Sequence, residues 1–255
     1  MANLKIGVFI DNMGLPLEAA LDKAAELGVD GFQIYVVKGA MLAENQSAEQ
    51  RKAFRKLYHA RGLTLSATCC DFSIPLDKPE SEAILPKLMA AVDQALDLGT
   101  DIITTHIGNV PEDLDPKVCD PMRRRLEKVA RYAEDKGVTF ATETGPESGA
   151  TLAALLDSVG SSGIGANFDP ANLVMGGFDH MQSARDLAEY TVHAHAKDGK
   201  RGNGEVALGL GDVNFPAYVA LMEEIGFDGF HTIEREAGPD PVGDIAKAVA
   251  FLRSL

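Results

Sequence analysis

The sequence predicts a closed (β/α)₈ barrel forming one domain over residues 1–255. Three observations carry this. Eight short strand-like runs alternate with stretches that can be helical, and strict β-α alternation implies parallel strands joined by crossover helices. The joints repeat: a glycine closes a helix-like segment and a strand-like run follows at once. Finally, 255 residues, 45% of them apolar, with no linker or low-complexity stretch to divide them, match the size of one such barrel.

In chain order the strand candidates are KIGVFID, GFQIYVV, LTLSATC, DIITTHI, TFATE, IGANFD, TVHAHAK and FHTIE. LPLEAALDKAAELG reads as the first helix and stops at Gly28. Gly62 stands before the third strand, Gly99 before the fourth and Gly137 before the fifth. GVDGFQI (28–34) is echoed by GFDGFHT (226–232), so Gly226 marks the same joint before the last strand. In PMRRRLEKVARYAEDKG the apolar residues Met122, Leu126, Val129, Ala130 and Ala133 fall on one stripe, with arginines and acids opposite. PAYVALMEEIG and DIAKAVAFLRSL behave alike. The first loop lacks G-x-G-x-x-G, which argues against an open dinucleotide-binding sheet.

Composition narrows the function. The net charge of −14 repels phosphodiester backbones, so nucleic acid is excluded as a partner. No run of eighteen apolar residues exists to span a membrane, and the N-terminal stretch lacks the pattern of a secretory signal. Cys69, Cys70 and Cys119 lack metal-ligand spacing and read as reduced thiols, which makes a cytoplasmic location the expectation. Cys69 and Cys70 are expected to be core-facing and rim-facing respectively.

Barrels of this kind carry their chemistry at the C-terminal ends of the strands. Strand 4 ends at His106, strand 5 at Glu143, strand 6 at Asp169, strand 7 at His195 and Lys197, and strand 8 at Glu234. Alternation puts Thr139, Ala141 and Glu143 on one face, Asn167 and Asp169 on another, and His193, His195 and Lys197 on a third, all toward the barrel interior. Any one carboxylate here could be a helix cap. Ligand types on four consecutive strand ends are another matter, because charge pointing into a barrel mouth is costly unless paired or metal-bound. Two Glu, one Asp and one His suit Mn²⁺, Mg²⁺, Co²⁺ or Zn²⁺, and the carboxylate excess favours the first two.

The segments ETGPES, NFDPANL, HAHAKDG, ALGLGDVNFPA and HTIERE, in this order, resemble the sugar phosphate isomerase/epimerase superfamily, the xylose isomerase-like TIM barrels. The resemblance covers nearly the whole chain and is strongest from Thr139 to Gly238. It implies one divalent ion, Mn²⁺ being the first expectation, held by Glu143, Asp169, His195 and Glu234. It also implies that Glu143 and Glu234 act as acid and base on opposite faces of a small-molecule sugar or keto-polyol. The physical rationale is that a chelated carbonyl acidifies the adjacent C–H, so one carboxylate removes the proton, an enediolate forms and the other returns a proton. A dehydratase or lyase of a keto-inositol or keto-sugar shares the first step and is the alternative; a sugar- or metal-binding barrel without turnover is a third reading. Homo-oligomers are common among relatives, and no residue here fixes the state. AP endonuclease relatives carry a histidine where this chain has Asn172 and an Asp-x-His after strand 7 that it lacks, so a DNA-repair metal cluster is not expected. Many members have an acid at the end of strand 2, where this chain reads Gln33-Ile-Tyr35.

Further candidates follow. His106 is expected as a hydrogen-bond partner of substrate or as a structural histidine. Lys197 binds a substrate oxygen or the enediolate, or else pairs with Glu234. Asn172 is counted among the substrate-binding residues. Glu236 is the rival of Glu234 as ligand, but it lies beyond a five-residue strand. Gly202, Gly204, Gly209 and Gly211 follow strand 7, where such barrels often bind phosphate; without a P-loop pattern they read as turns or a lid. His193, about 6–7 Å below His195 along the strand at ~3.3 Å per residue, is expected in a deeper layer.

Overall fold

The computed structural model describes residues 4–255. Eight parallel strands close into a barrel: β1 (Lys5–Phe9), β2 (Gly31–Tyr35), β3 (Thr64–Cys69), β4 (Ile102–Thr105), β5 (Thr139–Glu143), β6 (Ile164–Phe168), β7 (Thr191–Ala196) and β8 (Phe230–Ile233). Each strand pairs with its neighbours in the sequence, and β8 closes on β1 through Lys5↔Phe230 to Val8↔Ile233. Every expected strand is present. Register shifts between Phe32 and Gln33 and between Ala166 and Asn167 lie under the mouth of the barrel.

Helices α1 (Leu17–Glu26), α2 (Ala48–His59), α3 (Leu85–Leu98), α4 (Pro116–Lys136), α5 (Gly149–Val159), α6 (Pro170–Gly176), α7 (His180–Asp186), α8 (Phe215–Glu224) and α9 (Pro241–Arg253) cover the outside. The five joint glycines, at 28, 62, 99, 137 and 226, all have positive φ. At Gly99 and Gly137 the left-handed residue directly caps α3 and α4, a conformation that costs a residue with a Cβ. Helix α4 begins at Pro116, five residues before the amphipathic stripe suggests, because Asp115 Oδ1 accepts the Lys117 N–H at 3.0 Å and caps an extra turn ahead of Pro121.

The outward strand residues meet these helices. Phe32 packs edge-on against Phe54 and Tyr58 of α2, and Phe168 stacks on Tyr218 of α8 at 5.8 Å. Full burial of such a side chain stabilises by roughly 1.5–3 kcal/mol. Cys69, Cys70 and Cys119 are free and buried. Cys70 belongs to the apolar core, whereas Cys69 pairs in register with Tyr35 and Thr104 on the barrel side. This reverses the expected order: the shift after Phe32 pairs Gln33 with Ala67, skipping Ser66, so Cys69 turns inward. No helix among the described residues is long and apolar enough to cross a membrane.

Candidate metal centre

The strands deliver the four expected ligand residues to one place. Glu143, Asp169, His195 and Glu234 are all buried, and each offers a ligand atom within 4.8 Å of the others. His195 Nδ1 lies 3.5 Å from Glu143 Oε1, 3.6 Å from Asp169 Oδ2 and 3.3 Å from Glu234 Oε2. Fully buried Ala141, one inward position below Glu143, leaves room under the cluster.

Asp169 is both things that a carboxylate at a strand end can be. Its Oδ1 caps α6, accepting from Ala171 N at 2.8 Å and Asn172 N at 3.1 Å. Its Oδ2 is buried without a hydrogen-bond partner, and so is His195 Nδ1. Two orphaned buried atoms facing two further carboxylates are the donor set of a small hard cation. The residues therefore fit one divalent metal ion.

The surroundings fix each side chain. Gln33 Oε1 lies 2.9 Å from His195 Nε2, and its Nε2 donates to Thr104 Oγ1 at 2.7 Å. The amide oxygen requires the proton on His195 Nε2, which leaves Nδ1 as the nitrogen that would become the electron-pair donor once a cation took the place of its proton. Thr144 Oγ1 accepts from Asp169 N at 2.8 Å and donates to Asp169 O at 2.9 Å. Asn167 Nδ2 donates to Glu143 Oε2 at 3.0 Å. One layer down, His193 Nδ1 lies 2.8 Å from Asn167 Oδ1 and Nε2 lies 2.9 Å from Thr232 Oγ1. His193 is thus the deeper histidine, outside the ligand set. Burial, with His195 nearby, holds it neutral.

Lys197 Nζ donates to Glu234 Oε2 at 2.8 Å, contacts Glu236 and lies 3.7 Å from Asp169 Oδ2. Glu236 is half-exposed and reaches Lys197 rather than the four-residue cluster. His106, half-exposed, lies 3.2 Å from Asp71 Oδ2 and 3.4 Å from Glu143 Oε1. Asn172 Nδ2 donates to Glu143 Oε1 at 3.0 Å and to Thr144 O at 3.1 Å, bracing the carboxylate. Burial alone would raise the Glu143 carboxyl, but His106 and His195 outweigh it and hold it ionised. Burial likewise opposes charge on His195 and Lys197, and the carboxylates around them reverse the effect.

A cleft of about 270 Å³ opens beside Glu143, lined by Asp71, Ser73, His106, Asn109 and Pro146. Phe9 and Tyr35, 4.5 Å apart, stand on the opposite side, with Phe9 6.2 Å from the His195 ring. Sequence reasoning missed Gln33, Thr144, Asp71 and Glu147. Asp71 was within reach of the strand-end criterion, since it stands two residues past the end of β3. Gln33 was not, because a lone amide on a strand carries no metal signature. Glu147 is buried, with Oε1 on Gly145 N at 2.9 Å and Oε2 unpartnered, and burial pushes its carboxyl up to about 7.

Known proteins share this fold. The xylose isomerase domain protein of Planctomyces limnophilus is 30% identical, superposes with a TM-score of 0.85, and covers 98% of this chain and 96% of its own. The probable 3-DHS dehydratase AsbF of Bacillus anthracis shares 16% identity, with a TM-score of 0.82 over 98% of this chain and 99% of its own. D-psicose 3-epimerase of Clostridium cellulolyticum H10, solved with D-tagatose, shares 15%, with a TM-score of 0.79 over 98% and 99%. At these low identities the last two likenesses show the fold alone. The profile of the xylose isomerase-like TIM barrels matches residues 21–255, and the chain belongs to that family.

Proposed function

We propose that the protein is a divalent-metal-dependent isomerase or epimerase of a ketose or keto-polyol, working by proton abstraction next to a carbonyl. The observation that carries the reading is the buried Glu143, Asp169, His195 and Glu234 cluster with Lys197 beside it. Glu143, Asp169, His195 and Glu234 would hold a divalent cation, with Mn²⁺ the first choice, which would supply Lewis acidity toward the substrate carbonyl and so acidify the neighbouring C–H. Glu143 and Glu234 come from strands three apart in the barrel wall and flank the site. One removes the proton and the other delivers one, so epimerisation follows from return to the opposite face and isomerisation from return to the adjacent carbon. The Lys197 ammonium lies where negative charge develops and stabilises the enediolate oxygen. His106 meets a substrate hydroxyl from the cleft, and Asn172 holds Glu143 in line.

Metal analysis after mild purification, followed by a Mn²⁺-supplemented screen in D₂O read by NMR, tests this. Deuterium uptake by a free ketose, keto-inositol or 3-keto-glycoside with its mass otherwise retained is expected. Loss of water would make the enzyme a lyase, and a protein that neither binds nor responds to divalent cations would end the proposal.

A further inference from the structure

Resting on the reading above, we infer that the substrate is unphosphorylated, because the two loops where such a barrel would bind phosphate are filled by the protein's own carboxylates. Phosphate sites in these barrels form from the loops after strands 7 and 8, using backbone N–H groups and cations. After β7, both oxygens of Asp198 collect the amides of that loop. Oδ1 accepts from Gly199 N at 2.9 Å and Val213 N at 3.2 Å, and Oδ2 accepts from Gly209 N and Gly211 N, each at 2.9 Å. This is an anion-binding nest with its anion built in. The fit is tight: a Cβ on Gly211 would sit 2.0 Å from Asp198 Oδ1, which is why the position is glycine.

The loop after β8 repeats the device. Glu205 Oε2 accepts from Glu236 N and Ala237 N, each at 3.1 Å. Glu205 Oε1 lies 2.6 Å from Arg235 Nη1, and Asp244 takes the other side of the guanidinium at 3.0 Å. The cation next to Glu234 in the chain is thereby turned away from the site and neutralised.

Among the described residues, the cations beside the cluster and the cleft are already paired. Lys197 is shared between Glu234 and Glu236. Among the described residues lining the cleft, His106 is the one basic side chain, and it sits between Asp71 and Glu143. Arg201 donates to the carbonyls of Gly177 and Phe178. What the cleft offers is the carboxylates of Asp71 and Glu143, the His106 ring, the Asn109 amide and the Ser73 hydroxyl, groups that hold neutral hydroxyls. A phosphate dianion there would face the carboxylates of Asp71 and Glu143, with His106 already held between them, and would bear the desolvation cost of a poorly compensated charge.

The test is paramagnetic relaxation of ligand protons by protein-bound Mn²⁺. The panel is free ketohexoses, keto-inositols and the 1- and 6-phosphate esters of the same ketohexoses. At least one free compound is expected to bind about tenfold or more tightly than any ester, the size of one lost charge-assisted hydrogen bond. Inorganic phosphate, followed by ³¹P relaxation, is expected not to bind the wild type. Glu205→Ala frees two amides and the Nη1 edge of Arg235 and should gain phosphate affinity by about tenfold. A phosphate ester binding as well as its free sugar overturns the inference and leaves the metal-dependent reading standing. Folded Glu205→Ala with no gain overturns the assignment of these loops as filled cradles. Mn²⁺ bound with no relaxation of any free sugar or keto-polyol overturns the inference, and failure to bind Mn²⁺ removes the functional reading itself.

Discussion

Gln33 reaches across the barrel to His195: its amide oxygen lies 2.9 Å from the Nε2 that faces away from the carboxylates. Thr104 holds the other end of the amide, so its orientation is fixed by two strands at once. Partners of this kind set the tautomer of a metal-binding imidazole, and their loss typically weakens metal affinity by about 10–100-fold. Gln33→Leu should do the same here while leaving the fold intact. Competition with a chromophoric chelator measures it, and an unchanged metal affinity would remove Gln33 from the centre.

The two histidines of β7 should separate cleanly. His195→Ala is expected to abolish divalent metal binding. His193→Ala should retain the metal but lose roughly 1–3 kcal/mol of stability, because Asn167 and Thr232 are left with buried unpaired groups. Urea denaturation alongside metal titration of both variants checks this. The reverse pattern would mean that the ligand register along β7 is wrong.

Lys197 sits between chemistry and metal binding. On the proposed reading its ammonium would stabilise developing charge, yet its ion pair with Glu234 would also compete with a cation for that carboxylate. Lys197→Met should lower kcat/KM on the order of 10²-fold, the scale of one lost electrostatic contact in a dry site. Metal affinity should stay level or rise. A purely structural lysine would lower both with stability.

Glu147 predicts a pH dependence of stability. Burial raises its folded pKa to about 7 from an ordinary 4.5, so the folded state favours the protonated acid. This contribution is fully present below about pH 4.5 and is lost as pH rises through about 7. Glu147→Gln keeps an acceptor for Gly145 N and cannot ionise. Its advantage over wild type should therefore grow between pH 5 and pH 8, by up to about 3 kcal/mol. Denaturant midpoints at the two pH values decide it, and equal differences at both would show that Glu147 ionises freely.

The eight strands, the five joint glycines and the four residues of the buried cluster were legible in the sequence because each rests on a local rule. Alternation along a strand fixes which side chains point inward, and the strand end fixes their height, so Glu143, Asp169, His195 and Glu234 could be placed without coordinates. Register shifts are not local. The one beside Phe32 reverses the order of Cys69 and Cys70, and nothing in LTLSATCC announces it. Gln33, Thr104 and Thr144 acquire their roles only where separate strands meet, since an amide or hydroxyl gains meaning from its partner rather than its type. The loop after β7 shows the same division. Its glycines could be read as turns, but only tertiary contact reveals that Asp198 consumes their amides. Composition and periodicity determine where the four candidate ligand residues stand, because that depends on strand geometry. What the site admits depends on which donors remain unspent, and that is decided by hydrogen bonds between residues far apart in the chain.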